Sequence, residues 1–87
     1  MPRYYFDFWT GNRVVPDEKG VECEDVEAAY RAASKALLDL AKDIVPETTR
    51  CELSMEVSDE AKKPVCRATL QFEIEQLGEH RDGERIG

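Results

Sequence analysis

The chain has a single histidine, His80, and it falls in the unpatterned last ten residues. No Cys-His or Ser-His pair therefore has an ordered base to activate a nucleophile, and the sequence is expected to be non-enzymatic. Cysteine is also scarce: Cys23, Cys51 and Cys66 are odd in number and lack the close C-x-x-C spacing of a zinc site. They are expected to be free thiols behaving as small hydrophobes. No apolar run approaches 18 residues and no apolar segment follows a basic start, so a soluble, cytoplasmic protein with no membrane span is expected. Positive charge is in deficit, with 12 Lys and Arg against 19 Asp and Glu and a net charge of −7. Such a surface repels phosphate, which makes nucleic acid an unlikely partner on electrostatic grounds. Nothing in the pattern calls for a cofactor.

At 87 residues the chain fits one small domain in which nearly every apolar face must be used. Most of its aromatic residues are concentrated in the stretch YYFDFW, Tyr4 to Trp9. From Arg3 to Thr10 alternation sets Tyr4, Phe6 and Phe8 on one face and Tyr5, Asp7 and Trp9 on the other, the mark of a strand with an apolar inner side. Gly11-Asn12 accepts a left-handed turn, and Arg13 to Val15 returns as a short second strand. Pro16 has no N–H for a ladder, so that strand is expected at an edge. Asp17 to Gly20 reads as a turn, after which Val21 to Cys23 briefly resume the pairing.

Asp25 is an N-cap in front of a helix whose apolar stripe is read as Val26, Tyr30, Ala33, Leu37, Leu40 and Ile44, with Ala29 and Ala41 flanking. Leu38 falls off the stripe, and Pro46 stops the helix. Two further strands follow. Cys51, Leu53, Met55 and Val57 alternate with Glu52, Ser54, Glu56 and Ser58, and later Cys66, Ala68, Leu70, Phe72 and Ile74 form a second inward set. Bringing both sets to one face requires Val57 opposite Cys66 and Cys51 opposite Phe72. The two thiols then stand about 20 Å apart, six residues at roughly 3.3 Å each, too far for a disulfide.

The order ββαββ leads to an α+β fold: a four-stranded antiparallel sheet, order 2-1-3-4, with one helix packed on one face. Residues 1–77 are expected to form the single domain and Gly78 to Gly87 a disordered tail.

The P-R-Y-Y-F-D start at Pro2 to Asp7, the D-x-x-G-x-E segment at Asp17 to Glu22, the D-x-x-x-A entry to an Ala-rich helix at Asp25 to Ala29, and the closing hairpin Cys51 to Glu75 resemble a family of short bacterial proteins classed as a domain of unknown function. The resemblance spans about nine tenths of the chain and implies a fold but no activity, ligand or catalytic residue. A looser likeness links Gly20 to Leu40 to small antitoxins of the HicB kind, which bind a partner toxin.

The expected function is a non-enzymatic protein-binding or regulatory module, with an antitoxin-like role as one option from the looser likeness, and with a protein partner or self-association. Tyr5, Asp7, Trp9 and Leu38 are the candidate partner-binding residues. The alternative is a small nucleotide or single-stranded nucleic-acid binder that stacks bases on the outward aromatics Tyr5 and Trp9. Against it stand the carboxylates of Asp7, Glu52 and Glu56 on the same face. Those three are also the one constellation able to serve Mg²⁺ or acid-base chemistry, but nothing in the pattern encloses them. The acidic run Asp17, Glu18, Glu22, Glu24 and Asp25 lacks calcium-loop spacing and reads as turn and capping chemistry.

Overall fold

A computed structural model describes residues 1–78. Of the tail expected at Gly78 to Gly87, residues 79–87, His80 among them, lie outside the described residues. The elements are β1 (Arg3–Thr10), β2 (Arg13–Val15), β3 (Val21–Glu22), α1 (Val26–Ile44), β4 (Arg50–Ser58) and β5 (Pro64–Glu73). A single 3-10 turn, Val45–Glu47, carries Pro46 just past the helix, where its missing N–H breaks the ladder.

The sheet runs β2-β1-β4-β5, every neighbouring pair antiparallel, and the two-residue β3 also pairs with β1. Counting β3 as the brief continuation of β2, this is the order expected from the sequence. The register also agrees: Val57 faces Cys66 and Cys51 faces Phe72. Gly11 adopts φ +60 at the first central position of a two-residue loop, as a II′ hairpin requires, and this sets Thr10 opposite Arg13 and Trp9 opposite Val14.

Helix α1 begins where the Asp25 carboxylate accepts the Ala28 N–H at 2.8 Å, which satisfies one of the donors a helix start leaves free. It lies mainly over β4 and β5 and touches β1 little. Its buried line is Ala29, Ala33, Leu37 and Ala41, whereas Tyr30 and Leu40, placed on the stripe by periodicity, are 43% and 39% exposed. The physical reason is size. Small alanines let the helix approach the sheet closely, so the larger flanking residues are pushed to the sides of the contact. The core opposite is Leu53, Met55 and Val57 of β4, with Tyr4 and Cys23 closing one end.

All three cysteines are free, Cys23 buried and Cys51 and Cys66 half-buried on the helix side. Burial pushes the Cys66 thiol above its ordinary pKa. None of the helices among the described residues is long and apolar enough to cross a membrane.

Candidate functional site

The face of the sheet opposite the helix has no second layer among the described residues, and strand alternation decides what it shows. On β1 it presents Tyr5, Asp7 and Trp9. The pairings β2-β1, β1-β4 and β4-β5 then arrange the neighbours in rows: Tyr5 beside Ser58; Asp7, Glu56 and Arg67; Val14, Trp9, Ser54 and Thr69; Glu52 and Gln71; Arg50 and Glu73.

Most rows are bonded across the strands. Arg67 donates to Glu56 at 2.7 Å, Gln71 to Glu52 at 2.7 Å and Arg50 to Glu73 at 2.8 Å, while the Ser54 and Thr69 hydroxyls lie 3.3 Å apart. The carboxylates that the sequence sets on this face are thus held singly, each by its own partner. Among the described residues no three His, Cys, Asp or Glu side chains stand close enough to hold a metal ion.

Both outward aromatics are half-buried, and each carries a cation. The Lys62 ammonium sits 3.3 Å from the Tyr5 ring centre, and the Arg67 guanidinium lies over the Trp9 ring at 5.9 Å. Lys62 reaches this place from a tight hairpin loop in which it adopts φ 65, a left-handed conformation that costs a non-glycine residue roughly 1 to 2 kcal/mol. The Asp59 carboxylate closes the loop by accepting the N–H groups of Ala61 and Lys63, both at 2.9 Å. Trp9 is half-buried, yet its indole N–H is fully enclosed and has no acceptor among the described residues. Val14, next to it in the row, is 42% exposed.

Asp7 serves a different purpose from its neighbours. Its Oδ1 accepts the Asp17 N–H at 2.9 Å, and Asp17 in turn fills the gap that β2 and β3 leave along β1. One Asp17 oxygen accepts the Phe6 N–H at 3.1 Å, and the other accepts the N–H groups of Lys19 at 3.1 Å and Gly20 at 3.0 Å. Burial by itself raises the Asp17 pKa. The N–H groups of Gly20, Phe6 and Lys19, with the charge of Lys62, outweigh it and hold the carboxyl below its ordinary value.

Arg3 ties down the other end of the same loop, donating to the Lys19 carbonyl at 2.7 Å and pairing with Glu22 at 3.6 Å. Gly20 lies against it at φ +75, where an added Cβ would meet Arg3 Cγ at 2.8 Å. Arg3 and Asp7 from the P-R-Y-Y-F-D start are therefore wired to Asp17, Gly20 and Glu22 of the D-x-x-G-x-E segment. This cluster seals one sheet edge.

The family model described as a domain of unknown function (DUF6894) matches residues 3–71, from the first residue of β1 into β5. The chain belongs to that family. No protein of curated function and no solved structure matches it.

Within this DUF6894 domain the four candidate residues do not form one group. Tyr5, Asp7 and Trp9 share the open face, while Leu38, 56% exposed, stands on the helix that covers the other face. Asp7 is engaged in holding the Asp17 loop. Val14, Lys62 and Arg67 join Tyr5 and Trp9 instead. Val14 is readable from the two-residue Gly11-Asn12 turn, which fixes it opposite Trp9. Alternation and the β4-β5 register set Arg67 on this face, but its reach over Trp9 and the loop conformation that carries Lys62 to Tyr5 leave no signal in the sequence.

Proposed function

We propose that this chain is a non-enzymatic protein-binding module whose partner docks on the open sheet face around Trp9. The observation that carries this reading is the enclosed Trp9 N–H, without an acceptor among the described residues, beside exposed Val14. An unsatisfied buried donor costs about 1 to 3 kcal/mol, and a partner able to offer a carbonyl after a small shift of the covering side chains would recover it. Aromatic side chains are enriched in interface cores. The bonded rows around Trp9 supply a polar rim already organised before binding. The absence of catalysis is supported by the use of Asp7, Glu52 and Glu56 in separate structural hydrogen bonds. A regulatory, antitoxin-like role is one form of this reading. Base stacking ranks second because Lys62 and Arg67 already lie over the ring faces that bases would need.

The test is affinity capture from the native cell, followed by binding of the captured protein in purified form. Wild type is compared with Tyr5→Ala plus Trp9→Ala and with Leu38→Ala, circular dichroism serving as the folding control. A partner lost from the folded double variant and kept by Leu38→Ala is expected. An identical capture profile for wild type and the double variant overturns the proposal. Salt-sensitive oligonucleotide binding that vanishes in the double variant replaces it with the nucleic-acid reading.

A further inference from the structure

The two edges of the sheet are treated differently. Along β1 the outer side is covered by β2, by β3 and by the Asp17 carboxylate, which accepts the Phe6 N–H. Along β5 nothing among the described residues pairs with the outer side. Proteins blunt such an edge with proline, bulges or short length. Here Pro64 and the irregularity near Ser58 lie at the start of β5, and the ladder is regular from Cys66 to Glu73.

Which groups this edge offers follows from one hydrogen bond. Ile74 donates its N–H to the Thr49 carbonyl at 2.7 Å, so by alternation Leu70 and Phe72 also turn their backbone groups toward β4. Arg67, Thr69, Gln71 and Glu73 turn theirs outward. We propose that two copies of this chain pair their β5 edges antiparallel about a two-fold axis at Leu70, joining the sheets into one.

Three observations select this partner and this register. First, Arg67 and Glu73 are the charged residues of β5, and a two-fold axis at Leu70 sets Arg67 of one copy opposite Glu73 of the other. The bonded pairs Glu56–Arg67 and Glu73–Arg50 then join in one row of alternating charge across the junction. An axis at Thr69 would set Arg67 opposite Gln71 and leave both charges unmatched. Second, the parity is correct: Arg67–Glu73 and Thr69–Gln71 become hydrogen-bonded pairs, and the two Leu70 residues meet as a non-hydrogen-bonded pair. Third, the helix-side residues match in size and polarity. Ala68 meets Phe72 next to a groove of about 190 Å³ between α1 and β5, lined by Tyr30, Ala33, Ser34, Cys66, Arg67 and Ala68. Cys66 meets Ile74, which is 52% exposed in the single chain. The joined edge leaves the Trp9 face open, so this inference does not rest on the proposed partner site.

The experiment is light scattering coupled to size exclusion on the purified full chain across a concentration series. Wild type is compared with Arg67→Glu, Glu73→Arg, the double exchange Arg67→Glu with Glu73→Arg, and Leu70→Cys. A wild-type dimer is expected, weakened by about tenfold or more in each single exchange and restored in part in the double, where positions 67 and 73 again face opposite charges across the junction but each meets a like charge, Glu56 or Arg50, within its own sheet. The Leu70→Cys variant should form a disulfide between the position-70 thiols of two copies under mild oxidation, identified by peptide mass. A non-hydrogen-bonded pair brings Cα atoms to about 4.5 Å, within disulfide reach. The cross-link keeps the proposal testable where a charge exchange fails to fold. A wild-type chain that stays monomeric throughout the series overturns the proposal. So does a dimer that survives every folded exchange variant while Leu70→Cys yields no link between copies.

Discussion

Asp17 carries more of the structure than its place in a surface turn suggests. Its carboxylate substitutes for a missing piece of edge strand, giving the Phe6 N–H an acceptor between β2 and β3 and fixing the loop through Lys19 and Gly20. Asp17→Ala leaves those donors without it and is expected to cost about 1 to 3 kcal/mol in urea unfolding. The pH dependence has a definite sign. The folded pKa is lowered, so the contribution is complete above the ordinary aspartate value near about 4 and is lost as pH falls through the lower folded value. The group is partly exposed, and screening keeps this electrostatic part under about 1 kcal/mol. Asp17→Asn, which retains one acceptor oxygen, should therefore show a flatter acid limb than wild type when stability is followed from about pH 7 to about pH 3. Superimposable limbs would mean that the carboxylate charge contributes nothing.

The helix shows how an element can be read correctly while its buried face is misjudged. Hydrophobicity alone weights Tyr30 and Leu40 above Ala29 and Ala41, yet the alanines are the residues in the interface. Close approach of backbone to sheet requires small side chains at the centre of contact, and a large residue there would hold the layers apart. Leu37 is the one large side chain on the buried line, 4% exposed. Leu37→Ala is expected to cost about 2 to 5 kcal/mol, a large share of the stability of so small a domain. Leu40→Ala should cost less than half as much, because much of that side chain is already in water. Equal losses in chemical denaturation would restore Leu40 to the buried stripe that periodicity assigns it. The N-cap and the stop at Pro46 are legible because each depends on a single residue's chemistry.

For the molecule as a whole, charge is the dominant long-range term. A net charge of −7 on 87 residues repels itself, and the ion pairs Arg3–Glu22, Asp39–Lys42, Arg50–Glu73 and Arg67–Glu56 are surface contacts worth little each. Raising the salt from about 10 mM to about 100 mM shortens the screening length from about 30 Å to about 10 Å. Repulsion between distant carboxylates is screened by this change, while pairs closer than 4 Å are affected less. Thermal unfolding at constant protein concentration should therefore shift upward, by about 4 to 8 °C for each kcal/mol gained. A fall in Tm over the same range would show that the short ion pairs outweigh the general repulsion.

Local pattern is enough to dictate the element order, the antiparallel sheet with its strand order, and the β4-β5 register. A period of two and a single apolar face decide which residues share a side, and the short loop between the strands selects the register that sets Val57 against Cys66 and Leu53 against Leu70. Tyr5 and Trp9 fall on the open face for the same reason. What surrounds them is settled by the packed chain instead. Lys62 lies over Tyr5 because the short loop between β4 and β5 turns through a left-handed residue, and Arg67 lies over Trp9 because β5 packs two strands away from β1. Packing also makes structural partners of Asp7 and Asp17, since 10 residues of chain separate them and a hydrogen bond at that distance leaves no trace in local periodicity. Alternation is a property of one strand, whereas these contacts depend on where separate segments come to rest.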